Sequence, residues 1–173
     1  MPTKLQSDSA LAKPISCILS DVDGVMTDGR LIYHSNGDET KAFHARDGLA
    51  IKQWIAAGFA FGIVTALKSP IIDRRATELG IKHVAQGSDA KLEKAEALLD
   101  LIGCDFTNVC YIGDDLPDIP VMRQSGLAAA PADAALDARE SAHWILRARG
   151  GEGAVREVIE RLMRATGCWK PLL

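Results

Sequence analysis

Two short acidic stretches hold the residues whose types and spacing suit chemistry. Asp21-Val22-Asp23-Gly24 comes directly after the apolar run Ile15-Ser16-Cys17-Ile18-Leu19 and Ser20, and Gly113-Asp114-Asp115-Leu116-Pro117-Asp118 directly after Val109-Cys110-Tyr111-Ile112. Carboxylates brought together repel one another, and a hard divalent cation removes that penalty. Mg²⁺ suits a site with few protein carboxylates, some waters and a substrate phosphate. Turn formation or helix capping explains any one of these acids, but not two clusters that each follow an apolar strand. An EF-hand is excluded, because its fifth position falls on Val25 and its glycine comes two places early, at Gly24. A cationic partner is available in Lys91, which opens a helical stretch after Gln86-Gly87-Ser88-Asp89-Ala90. A lysine there either reaches the acids and a phosphate or is simply solvated.

The elements that must position these residues alternate along the chain. Phe59-Ala60-Phe61-Gly62-Ile63-Val64 is a third buried-strand pattern and ends at Thr65. Helical spacing links Ile71, Ile72, Arg75, Ala76 and Leu79, and again Leu92, Ala95, Leu98, Leu99 and Ile102. Repeated βα units predict an α/β fold, a Rossmann-like doubly wound parallel sheet with helices on both faces. Ligands of such sheets bind at the carboxyl ends of the strands, where the acids stand. A β-hairpin is predicted to project after strand one: Arg30–Tyr33 and Thr40–Phe43 flank His34-Ser35-Asn36-Gly37-Asp38, whose Asn-Gly is a turn signal.

The 173 residues suit one domain. It is expected over residues 14–166, with an N-terminal extension, 1–13, and a C-terminal tail, 167–173. A formal net charge of −3 argues against a nucleic-acid partner. Cys17, Cys104, Cys110 and Cys168 form no CxxC pair and read as buried, reduced thiols. No signal peptide or membrane span is evident, so a soluble cytoplasmic protein is expected.

The order of Asp21-x-Asp23-Gly24, Thr65, Lys91 and Gly113-Asp114-Asp115-x-x-Asp118 resembles the haloacid dehalogenase-like phosphohydrolases, from about Ile15 to the last helix. The resemblance implies a Mg²⁺-dependent phosphatase with Asp21 as nucleophile and Asp23 as acid, then base. It implies metal ligation by a carboxylate oxygen of Asp21, the backbone carbonyl of Asp23 and Asp114, supported by Asp115 and Asp118. Thr65 and Lys91 would bind the phosphoryl oxygens. The short segments between Asp23, Thr65 and Lys91 leave no room for a large cap.

Finer stretches resemble the 3-deoxy-D-manno-octulosonate 8-phosphate phosphatases. These are Asp21–Gly29, Lys41–Gly48, Gln86-Gly87, Gly113–Asp118, Pro131–Ala134 and Gly150–Glu157. That likeness implies a sugar-acid phosphate substrate in lipopolysaccharide biosynthesis and a homotetramer whose neighbouring hairpins and tails close each site. It makes His44, Arg46, Asp47, Gly48, Lys52 and Arg75 candidate substrate contacts, although each also has an ordinary structural reading. Where those enzymes read Thr-Gly-Arg, this chain has Thr65-Ala66-Leu67-Lys68-Ser69. Leu67 cannot bind a carboxylate as a guanidinium does; either Lys68 replaces that charge, or the substrate lacks the usual carboxylate. A nonulosonate 9-phosphate or another small ester is the alternative substrate. A non-catalytic assembly module would lack Asp21, and a receiver domain would carry its acceptor Asp where Thr65 stands.

Overall fold

Short, largely apolar segments pair into one parallel sheet whose four central strands are buried on both faces and whose two edge strands are partly exposed. The computed structural model describes residues 8–170; the outermost parts of the expected extension and tail, 1–7 and 171–173, lie outside them. The strands are β1 (Cys17–Ser20), β4 (Ala60–Val64), β5 (His83–Ala85), β6 (Val109–Ile112), β7 (Leu127–Ala130) and β8 (Trp144–Ile145), in the order β5-β4-β1-β6-β7-β8. All neighbours in this sheet are parallel.

Successive strand residues point to opposite faces, and two cores result. On one face Ile18, Phe61, Ile63, Ile112 and Leu127 pack with α2 (Ala45–Ala56), α3 (Pro70–Leu79) and α7 (Ala154–Ala165). On the other, Leu19, Val64, Tyr111 and Ala128 pack with α4 (Lys91–Ile102), α5 (Ile119–Gln124) and α6 (Leu136–Glu140). The doubly wound α/β architecture expected from the alternation is therefore present.

Helix ends follow local chemistry. Ser69 caps α3 by accepting from the Ile71 N–H, with Pro70 in the first turn and Gly80 at φ +75° closing it. A small helix, α1 (Asp8–Ala12), places Ala12 in the core, and Arg161 on α7 donates to both Asp8 carboxylate oxygens at 2.6 Å. Beyond α7, Trp169 packs under the Arg156 guanidinium, 4.6 Å from ring centroid to Cζ. Described parts of both terminal segments thus pack on the domain.

The hairpin is shorter than expected. β2 (Ile32–Tyr33) and β3 (Glu39–Thr40) pair antiparallel as a separate small sheet, with Gly37 at φ +89° in the turn. β7 and β8 carry no clear strand signal: Ala128–Ala130 lacks β-branched residues, and β8 has two residues. The cysteines correct another expectation. Cys17 and Cys110 are buried, but Cys104 is half-buried and Cys168 exposed; all four are free. No helix among the described residues is long and apolar enough to cross a membrane.

Candidate active site

The chain runs from β1 outward through β4 and β5, then returns to place β6 on the other side of β1. Ligand clefts form where strand order reverses in this way. Ser20 lies level with Ile63 and Ile112, so the residues that follow these three strands emerge together. A cleft of about 260 Å³ opens there, lined by Asp21, Asp23, Thr65, Lys91, Asp114, Asp115 and Asp118, with Gly29, Leu31, Ala66, Leu67 and Pro117 completing its wall. The geometry gathers the acids, the threonine and the lysine of the four motifs.

Asp21 is buried and fixed at both oxygens. Oδ1 accepts the Val22 N–H at 2.7 Å, and Oδ2 lies 2.8 Å from Lys91 Nζ. Lys91 is not a solvated helix-start lysine: it is 3% exposed and also donates to Asp118 Oδ1 at 2.7 Å. Burial pulls the Lys91 ammonium toward neutrality, but Asp21 and Asp118 outweigh it, so its pKa is raised. Asp118 is fully buried, and both its oxygens are taken. Oδ1 accepts from Lys91 and the Tyr111 hydroxyl, and Oδ2 from the Asp114 and Asp115 N–H groups at 2.9 and 3.2 Å. It therefore acts as the support that shapes the loop and holds Lys91. Exposed Asp115 caps the turn Leu116–Asp118 by accepting the Leu116 N–H.

Oxygens of Asp21, Asp114 and Asp118 lie within 4.8 Å of one another. Because four donors already engage Asp118, Asp21 and Asp114 are the carboxylates with free lone pairs for a cation. Burial, then the charges of Asp21 and Asp118, push Asp114 up to about 8. Burial and Asp118 push Asp21 up to about 6 against the opposing pull of Lys91. Such crowding suits a small oxygen-seeking divalent ion that retains waters, as Mg²⁺ does. Backbone clearance is part of the fit: a Cβ on Gly24, at φ +86°, would lie 2.0 Å from Asp114 Oδ2. Gly150 and Gly151 let the following loop rest on the backbone of Gly24, Thr27 and Asp28, and the Gly151 N–H donates to Val25 at 3.0 Å.

In the sequence Lys41 is only the first residue of the Lys41–Gly48 stretch, and the structure gives it a specific place. Its side chain is 1% exposed, with Nζ 2.6 Å from Asp23 Oδ1 and 3.2 Å from Glu39 Oε1. A lysine beside a short exposed hairpin strand reads as solvated, so the pattern held no signal for it. Tyr111 likewise stands in the sequence only as part of an apolar strand; the hint of its bond to Asp118 is a hydroxyl in a buried run beside the acids.

The candidate sugar-acid contacts do not line this cleft. His44 caps α2 through the Arg46 N–H. Asp47 is buried, and its Oδ1 accepts the Arg156 N–H in the first turn of α7 at 2.7 Å; burial raises its pKa. Gly48 gives Arg75 room, since an added Cβ would meet its Nη2 at 2.5 Å. Arg75 lies over the Phe43 ring and pairs with Glu78. Lys52 and Lys68 are exposed, Lys68 against Gly87. Exposed Arg46 opens on a separate groove of about 840 Å³ along α7, with Arg156, Arg161 and Arg164. That groove shares no residue with the acidic cleft.

No family model matches this chain. The 3-deoxy-D-manno-octulosonate 8-phosphate phosphatase of Yersinia pestis is 42% identical over 154 residues, spanning 89% of this chain and 82% of that protein. The crystal structure of the Moraxella catarrhalis enzyme of that name, in complex with a magnesium ion, a phosphate ion and a KDO molecule, has a TM-score of 0.89 at 40% identity and covers 91% of each chain. The cobalt-bound deoxy-D-mannose-octulosonate 8-phosphate phosphatase of Haemophilus influenzae gives 0.88 at 36% identity, over 91% of this chain and 92% of that one. Agreement of this extent, together with the clustered acids, lysine and threonine, means that the chain belongs to the 3-deoxy-D-manno-octulosonate 8-phosphate phosphatases of the haloacid dehalogenase-like superfamily.

Proposed function

We propose that this chain hydrolyses 3-deoxy-D-manno-octulosonate 8-phosphate through an aspartyl-phosphate on Asp21. The observation that carries the reading is Asp21 itself, buried at the switch point and fixed at both oxygens beside Asp23, Thr65 and Asp114. Its carboxylate attacks phosphorus as the bond to the sugar oxygen breaks, and Asp23 gives that oxygen a proton. Asp23 then removes a proton from water. The resulting oxygen attacks phosphorus, releases phosphate and restores Asp21.

Lys91, with Thr65, draws charge off the phosphoryl oxygens in a dry setting where such contacts are strong. Asp21, the Asp23 carbonyl and Asp114 would hold Mg²⁺, whose chemistry is to neutralise the crowded acids and polarise the phosphate. Asp115 and Asp118 keep the Asp114 loop in shape.

Incubation of the purified protein and Mg²⁺ with phosphorylated sugar acids tests the substrate. The octulosonate ester should lead a nonulosonate 9-phosphate by at least about tenfold in kcat/KM, worth ~1.4 kcal/mol. The nonulosonate alternative gains weight from Leu67, which is exposed in the cleft wall. Equal rates would withdraw the octulosonate assignment while leaving the chemistry intact.

We also place the enzyme in a homotetramer. The cleft is below the usual ~300–1,000 Å³ of ligand sites, and Leu31, Ile32 and Tyr33 leave an apolar edge on the hairpin, with Tyr33 70% exposed. Arg46 and Lys52 are exposed and lie outside the cleft lining, so in this reading they would serve a substrate only from a neighbouring chain, whereas Lys68 directly follows Leu67 of its own cleft wall. Four free thiols accord with a reducing cytoplasm. A fully active monomer by light scattering would contradict the shared closure.

A further inference from the structure

We propose that Lys41 is the positioning residue of the proton-transfer step, holding Asp23 by Oδ1 so that Oδ2 exchanges protons with the leaving oxygen and with water. This rests on the reading of Asp23 as the acid/base. Lys41 follows β3, where the hairpin rejoins the body, and its ammonium is removed from solvent. A buried ammonium is costly unless closely paired. Here it lies 2.6 Å from Asp23 Oδ1, and the Thr27 hydroxyl reaches the same oxygen at 3.5 Å. Asp23 Oδ2 is buried and has no hydrogen-bond partner among the described residues. Buried carboxylate oxygens are rarely left alone, and an oxygen that serves the reacting groups has its partner only during turnover.

The cation is fixed from its far side as well. Glu39 Oε1 lies 3.2 Å from Lys41 Nζ, and Glu39 Oε2 accepts from the Ser69 hydroxyl at 2.8 Å. Ser69 caps α3 just beyond Thr65, and its N–H donates to Gln86 at 3.0 Å. One polar chain therefore joins the Asp23 loop, the hairpin and the loop that carries Thr65. Fastening the hairpin would itself use the short contact to Asp23, but it does not require that the second Asp23 oxygen be left without a partner.

The leaving group separates positioning from simple fastening. A sugar alkoxide needs a proton to depart, whereas 4-nitrophenolate does not. Rapid-mixing assays with Mg²⁺ compare the native protein with Lys41→Met, Lys41→Arg, Glu39→Gln and Asp23→Asn. Lys41→Met should slow phosphoryl transfer from the sugar-acid phosphate by roughly 10–100-fold, part of what general acid catalysis supplies. The initial burst of 4-nitrophenolate should stay within about twofold, since it requires no acid. Inhibition by inorganic phosphate should not change, and Lys41→Arg should recover most of the lost rate.

Equal losses on both esters, or no loss on the sugar-acid phosphate, would overturn the proposal. Should Lys41→Met fail to fold, Glu39→Gln keeps the ammonium but loosens its anchor and must show the same selectivity at smaller size. Asp23→Asn separates the two readings. If it keeps sugar-acid phosphate turnover, the acid/base assignment falls; if it alone loses that turnover, only the role of Lys41 falls.

Discussion

Replacing Gly24 with alanine tests how closely the backbone is fitted to the Asp114 carboxylate. Gly24 sits at φ +86°, where a side chain costs about 1–2 kcal/mol. The added Cβ would lie 2.0 Å from Asp114 Oδ2 and 2.5 Å from Cγ, while ordinary contact begins near 3.4 Å. The carboxylate must therefore retreat by more than about 1 Å, several times the ~0.2 Å tolerance of metal–ligand distances. Backbone strain alone lowers Tm by roughly 2–8 °C in a domain of this size. Loss of the Asp114 position weakens Mg²⁺ by about 10–100-fold, the scale seen when a metal site's supports are disturbed. Gly37→Ala is the control: its φ is +89°, but nothing lies within 4 Å of the added Cβ. The assays are calorimetric Mg²⁺ titration and Mg²⁺-dependent turnover, each with a thermal melt. Both variants should melt earlier, and only Gly24→Ala should need more Mg²⁺. A folded Gly24→Ala protein with native Mg²⁺ dependence would refute the reasoning.

Other consequences follow from the same site. Asp114 and Asp21 are raised to about 8 and about 6, so between the ordinary carboxylate value near ~4 and those values the metal-free fold holds protons that the unfolded chain has already released. The stability of the metal-free protein should thus fall as pH rises from about 4 to about 8, and saturating Mg²⁺ should flatten the trend. A melting temperature independent of pH in chelator would contradict this. Removing Asp47 by Asp47→Ala takes away the acceptor for the α7 N–H of Arg156. The loss should be near 1 kcal/mol, read as a lower Tm with kcat unchanged. A normal Tm with a raised KM would return Asp47 to the substrate site.

Much of this site is legible in the chain because the fold places it at strand ends. Asp21, Thr65 and Asp114 each come just after an apolar run, and a parallel sheet brings such positions together whatever their separation in sequence. Lys91 was legible only by its order among those motifs; its burial between Asp21 and Asp118 depends on packing. Lys41 was harder still, since a hairpin lysine becomes buried only by docking on Asp23, 18 positions away. The Lys41–Gly48 stretch is only partly legible. Its polar residues resemble ligand contacts, yet Asp47 meets a backbone N–H 109 positions further on, and Gly48 clears space for Arg75. Periodicity does not separate a carboxylate facing a ligand from one capping a distant helix. β7 and β8 were missed because neighbouring strands and helices, not their own propensities, hold them extended.

The most direct test is acid quenching during turnover of ³²P-labelled substrate with Mg²⁺, followed by mapping of the label. Hydroxylamine-labile phosphate should be found on the peptide that contains Asp21, and both label and turnover should vanish in a folded Asp21→Asn variant. Turnover without labelled protein under quench conditions fast enough to catch the intermediate, or wild-type turnover in Asp21→Asn, would contradict Asp21 as the nucleophile.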